Sequence, residues 1–133
     1  MPMYDNKFLL DEALDGMAAA STNSSLDINF GVTNPNCAAK GEFGAHIVIT
    51  QAYTAVNSGC NIIVKHGAAT APTTTLIVRL LTQTQLKVLG AHYFIPFPPA
   101  NLQFVRLQYY PVSETSTLGY HTAWLGPRVG KEI

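Results

Sequence analysis

The sequence predicts an all-β domain, a sandwich or barrel built from short antiparallel strands. Apolar residues recur with a period of two in roughly seven or eight short stretches. Turn-forming clusters separate those stretches: TNPN, VNSG, GAATAPT and PFPPAN. No long helical period intervenes between them. That combination points to a sandwich or barrel of one domain, and 133 residues is the length of one domain that buries about two-thirds of its unfolded surface.

Residues 1 to 20 read as a short N-terminal arm and residues 21 to 133 as the sandwich. In the arm, Phe8, Leu9, Leu10, Ala13 and Leu14 alternate with Asp11, Glu12 and Asp15. This is the one helix-like stretch, a turn or two ending at Gly16 and too short to be stable alone, and an arm lying on another surface fits it equally well. Strand signals follow. SLDINFG sets Leu26, Ile28 and Phe30 on one face, and GAHIVITQAY sets Ile47, Ile49 and Tyr53 against His46, Val48 and Thr50. NIIVKHG places Ile62, Val64 and His66 together, and TLIVRLLT sets Leu76, Val78 and Leu80 against Ile77, Arg79 and Leu81. LKVLG and HYFIPF read as further strands. Pro98 and Pro99 offer no N–H to a ladder, so the strand through Ile95 ends there. FVRLQYY then carries Val105, Leu107 and Tyr109 on one face, with Arg106 and Gln108 on the other. In GYHTAWLG either Tyr120, Thr122 and Trp124 or His121, Ala123 and Leu125 face the core; the pattern allows both.

Composition narrows the function. Charged residues make up 12% of the chain and the formal net charge is zero, against a usual charged share of roughly 25%. The basic residues are scattered singly, whereas phosphate binding needs them clustered, so nucleic acid is not expected as a partner. Ser, Thr, Asn and Gln supply the polar surface, as in ASTNSS and TAPTTT. Such side chains lose less rotamer entropy when fixed than Lys or Glu and cost less to desolvate than charges, which suits burial against a partner. No apolar run is long enough to span a bilayer, and MPMYDNKFLLDEALDG lacks the pattern of a secretory signal, so no membrane partner and cytoplasmic synthesis are expected.

Catalytic sets are missing. His46, His66, His92 and His121 read as isolated structural histidines, and Asp11, Glu12 and Asp15 as a solvated or capping face. Cys37 and Cys60 match no zinc spacing and read as two free thiols, with a disulfide open only if the fold brings them together in an oxidising setting. There is no Gly-x-Ser-x-Gly elbow, phosphate loop or dinucleotide fingerprint. The expectation is a protein that is not an enzyme and holds no cofactor or metal.

The order of segments resembles the tailed-phage capsid cement (decoration) proteins of the Bordetella-phage type. The likeness runs from KFLLDEAL through ASTNSSLDINFG, HIVITQAY and NIIVKHG. Its best part is FIPFPPANLQFVRLQYYPV, leading through SETST into LGYHTAWLG, where Arg106-Leu107-Gln108-Tyr109 matches an Arg-Leu-x-Tyr-type strand. The chain departs from the family at TNPNCAAKGEF, which is longer, and at the tail PRVGKEI. The resemblance implies a jelly-roll β-sandwich that assembles as a dimer on the outside of an icosahedral shell. There it would clamp the major capsid proteins of a tailed phage. Tyr4, Phe8, Leu9, Leu10, Leu14, Tyr110, Tyr120 and Trp124 are then the candidate capsid or subunit contacts. The alternative is a carbohydrate-binding or receptor-binding virion module that stacks sugars on Tyr93, Tyr110, Tyr120 and Trp124.

Overall fold

A computed structural model describes residues 8–17, 21–39, 42–53, 58–112, 119–128 and the backbone of 131–132. In chain order the strands are β1 (Leu9–Leu14), β2 (Thr22–Asn23), β3 (Ile28–Asn29), β4 (Phe43–Gln51), β5 (Cys60–Gly67), β6 (Thr74–Leu81), β7 (His92–Pro96), β8 (Phe104–Pro111), β9 (Tyr120–Pro127) and β10 (Lys131–Glu132), with one helical turn, α1 (Gln83–Leu86), between β6 and β7.

The strands form two sheets. Sheet A has the order β1-β9-β4-β7-β10 and sheet B the order β2-β8-β5-β6, with β3 also on β8. All described pairings are antiparallel except that of β10 with β7. If β2 and β3 count as two pieces of one position, the pairing is nested. β5 pairs with β6 innermost, then β4 with β7, then β2 and β3 with β8, and β1 with β9 outermost. A nested hairpin rolled into two facing sheets is a jelly roll.

The core lies between the sheets. Sheet A contributes Ala45, Ile47, Ile49, Tyr93, Ile95, Ala123 and Leu125, and sheet B contributes Ile62, Val64, Leu81, Val105, Leu107 and Tyr109. These are the alternate positions grouped together in β4, β5 and β8, and in β6 the alternation that carries Leu81 is the inward one. Branched and aromatic side chains pack well on a pleated, half-buried surface, and each large one stabilises the fold by about 1.5–3 kcal/mol when fully buried. The alternation in β9 resolves the open choice: Ala123 and Leu125 face the core, with His121, while Tyr120, Thr122 and Trp124 lie on the outer face of sheet A. β7 ends at Pro96, and the N–H of Phe97 turns to the carbonyl of Phe43 at 2.8 Å.

Three expectations are corrected. Residues 9–14 are not helical but form β1, which pairs with β9 at the edge of sheet A among the described strands. Two register shifts against β9 and a positive φ of 53° at Ala13 let Leu10 enter the core and Asp11 turn inward as well. Tertiary pairing wins over a helix too short to stand alone. LKVLG is not a strand. Thr82 caps α1 instead, its hydroxyl accepting from the N–H of Gln85 at 3.3 Å while the Gln85 side chain accepts from the N–H of Thr82 at 2.9 Å, a capping box. Leu86 is thereby buried, and Val88 and Leu89 are left exposed. Finally, only Ile28 and Asn29 of SLDINFG make a ladder, and Leu26 is exposed.

Candidate interaction surface

The outer face of sheet B is set by the register of three strands. Asn61 of β5 lies opposite Leu80 of β6 and Tyr110 of β8, and Ile63 lies opposite Val78 and Gln108. One pleat further, Lys65 faces Thr75 and Arg106. The face therefore has an apolar end and a cationic end. At the apolar end Val78 is 44% exposed, Leu80 47%, Tyr110 49% and Val112 54%. An alternating strand at a sheet surface normally puts polar residues outward; here β6 carries apolar residues on both alternations, with Val78 and Leu80 outward. It is also the edge of sheet B among the described strands, with Arg79 donating from Nη1 to the carbonyl of Val78 at 2.9 Å. A charge on an edge strand hinders unwanted pairing.

The outer face of sheet A is different, because its apolar residues are covered. His46 and Phe94 are buried, and Trp124 is only 4% exposed. His46 stacks on Trp124 with ring centroids 5.3 Å apart and planes 11° from parallel, and it packs on Phe94 at 4.8 Å. Its Nε2 lies 2.7 Å from the carbonyl of Pro127, which only accepts, so Nε2 carries the proton. In the neutral ring Nδ1 is then an acceptor, and it receives the Nε2–H of His92 at 2.8 Å. Burial, and then the neighbouring His46, pull the pKa of His92 below its ordinary 6.5. These two histidines, distant in sequence, are brought together by the pairing of β4 with β7. An isolated reading of each histidine gave no signal of it.

Inside the sandwich, Asp11 is buried and not part of a solvated face. Its Oδ2 accepts from the Tyr109 hydroxyl and from His121 Nε2 at 3.3 Å, and its Oδ1 accepts from the N–H of Ser25 at 2.6 Å. Burial alone would raise the Asp11 pKa; the His121 contact and the Tyr109 and Ser25 hydrogen bonds outweigh it and hold the carboxyl below its usual 3.8. Burial, then the Asp11 charge, push the Tyr109 phenol well above 10. Ionised acceptor and neutral donor are thus fixed in role. The void beside Tyr109 and His121 measures about 10 Å³, room for no more than about one water. This constellation ties β1, β8 and β9 together. Among the described residues no group of three or more His, Cys, Asp or Glu is placed to hold a metal ion. Cys37 and Cys60 are both free thiols.

The expected contact residues are dispersed. Tyr4 lies outside the described residues. Phe8 and Leu14 are half-buried and pack on the core, with the Phe8 ring 5.9 Å from that of Phe30. Leu9 is half-buried and Leu10 fully buried. Trp124 is covered, and Tyr93 is buried with its hydroxyl donating to the carbonyl of Gln85 at 3.0 Å. Only Tyr110 and Tyr120 are well exposed, on opposite sheets. Sequence reasoning passed over Val78, Leu80 and Val112, although TLIVRLL, apolar on both alternations, carried a signal for the first two. No protein-family model matches the chain, and no curated protein matches it either.

Proposed function

We propose that this chain is a structural protein of a virion, a cement protein on the exterior of an icosahedral tailed-phage capsid. Its partners are the major capsid protein and further copies of itself. The observation that carries this reading is the exposed row of Val78, Leu80, Tyr110 and Val112 on the outer face of sheet B. Apolar residues gathered at a surface mark a protein interaction site, and here they sit on a chain with few charges. The jelly roll, a fold used by capsid and lectin domains, is compatible with it, and so is the likeness to cement proteins in the order of segments. A part of this kind acts by mass action: whatever binds the assembled shell but not its loose subunits stabilises the assembly. Each contact is allowed to be weak when one oligomer grips several coat subunits.

The sugar-binding alternative has less support. Of Tyr93, Tyr110, Tyr120 and Trp124, two are buried and the exposed two lie on opposite sheets, so the four do not form one stacking platform.

The test is to mix the purified protein with expanded coat shells lacking it, sediment them, and count bound copies per coat subunit. Saturable binding at a fixed ratio, with shells that survive heat longer, is the expected result. Leu80→Glu should weaken binding by about tenfold or more, since a charge placed in a desolvated contact is costly. If nothing pellets with the shells, the cement reading fails.

A further inference from the structure

The cationic end of the sheet B face holds a second feature. Asn23, Lys65, Pro72, Thr73, Arg106 and Gln108 enclose an open groove of about 170 Å³. Lys65 and Arg106 are direct register partners across β5 and β8, and like charges placed directly opposite one another weaken a sheet. The pair is partly relieved from one side. Arg106 donates from Nε to Asp27 Oδ1 at 2.7 Å, and the other Asp27 oxygen accepts from the N–H of Ala71 at 2.8 Å. This clamp fixes the plane of the guanidinium, and among the described residues no hydrogen bond takes up its Nη1 or Nη2. Lys65 Nζ donates to Thr75 Oγ1 at 3.0 Å, which uses one of its three N–H groups. Among the described residues that line the groove there is no carboxylate.

We propose that this groove binds a carboxylate carried by an acidic side chain of a partner protein. The two open Nη groups of a held guanidinium form the parallel donor fork that a carboxylate accepts in bidentate fashion. Lys65 adds a point charge from across the ladder, and the side chains of Gln108 and its register partner Asn23 supply amide donors at the rim. Asp27 neutralises one of the two cations, so a single negative charge balances the rest, and a phosphate dianion would overshoot. A protein is the source that the surroundings favour. The apolar row begins one pleat along β5, where Val78 faces Ile63, and reaches Leu80 and Tyr110 beside Asn61, four residues and about 13 Å away at roughly 3.3 Å per residue. An extended segment with an apolar and an acidic side chain at that separation meets both ends of the face. The inference holds whichever protein supplies the segment, so its failure and that of the cement reading are distinct results.

The experiment titrates the 15N-labelled full chain with the acetylated, amidated peptide Leu-Ala-Thr-Ala-Glu, whose ends match that spacing. The same peptide ending in Gln and free glucuronate are run beside it. Amide shifts at Lys65, Arg106 and Gln108 should saturate with the Glu peptide, which should bind about tenfold or more tightly than the Gln peptide, as the loss of a charge-assisted hydrogen bond implies. Lys65→Gln and Arg106→Lys should each remove that advantage; Lys65→Gln leaves the Arg106–Asp27 pair untouched. Equal binding of the two peptides, no saturable shifts, or undiminished binding by Lys65→Gln overturns the proposal. Glucuronate binding as tightly as the Glu peptide overturns the protein source.

Discussion

Asp11→Ala is the substitution whose outcome the structure sets most sharply. The carboxylate is fully buried, and removing it strands three donors at once: the Tyr109 hydroxyl, His121 Nε2–H and the N–H of Ser25. Each unsatisfied buried donor costs about 1–3 kcal/mol, and breaking a buried charged network typically costs about 3–5 kcal/mol in all. With a urea dependence of about 2 kcal/mol per molar, a loss of about 4 kcal/mol lowers the unfolding midpoint by about 2 M. Tyr109→Phe removes one donor and leaves Asp11 with two, so it should cost only about 1–1.5 kcal/mol. Equilibrium urea unfolding followed by circular dichroism reads both. The pH dependence has a definite sign. Because the folded pKa of Asp11 lies below 3.8, its contribution is present above that value and is lost as pH falls through the folded pKa. The gap between wild type and Asp11→Ala should therefore narrow in acid. A midpoint for Asp11→Ala within about 0.3 M of wild type would refute the reasoning.

Three further outcomes follow from geometry and burial. A Cβ on Gly44 would stand 1.9 Å from the carbonyl oxygen of Ile95, so Gly44→Ala should part β4 from β7 and cost about 3 kcal/mol or more, read as a fall in Tm or loss of soluble protein. Burial, with His46 beside it, lowers the His92 pKa below 6.5; the unfolded chain then binds more protons, and stability should drop as pH falls from 6.5 through the folded pKa. His92→Gln, which keeps a donor for His46, should flatten that slope in unfolding midpoints measured between pH 7 and 5. Burial pushes the Cys60 thiol up to about 12, so at pH 8 it should resist iodoacetamide until urea unfolds the chain; labelling in the native state, located by mass spectrometry, would count against its burial.

The strands that build the interior were legible because one face of each had to be buried. In β4, β5 and β8 the period-two alternation grouped the core residues on one face, in β6 it separated Leu81 from Val78 and Leu80 without saying which side was buried, and Pro98 and Pro99 marked the end of β7. What failed was decided by contacts at long range. β1 looked helical because its bulges break the alternation, and its partner strand lies more than a hundred residues away in sequence. Asp11 looked solvated because its three donors come from Ser25, Tyr109 and His121. LKVLG alternates like a strand, yet Thr82 stops β6 and starts a capped turn. For the candidate surface, Trp124 misled because the outer face of a sheet is not always open. Leu80 and Val78 were missed for the reverse reason, since apolar residues on both alternations of a strand suggest burial on both sides. Arg106 stood out as a lone charge among apolar neighbours, but Lys65 and Asp27 joined it only through the register.

The nested order of pairing also dictates when each part of the sandwich is able to form. Only β5 and β6 are near neighbours in sequence; every other described ladder joins segments tens of residues apart. A chain of this kind folds in milliseconds to seconds, because loop closure precedes the contacts that reward it. β9 sits between β1 and β4, so sheet A stays split until residues 120–127 have been made, and the facing flanks of β1 and β4 stand open as unpaired edges until then. Copies crowded together during a burst of synthesis are most exposed to mispairing in that interval, and β9, arriving long after its two neighbours, is the strand that closes it.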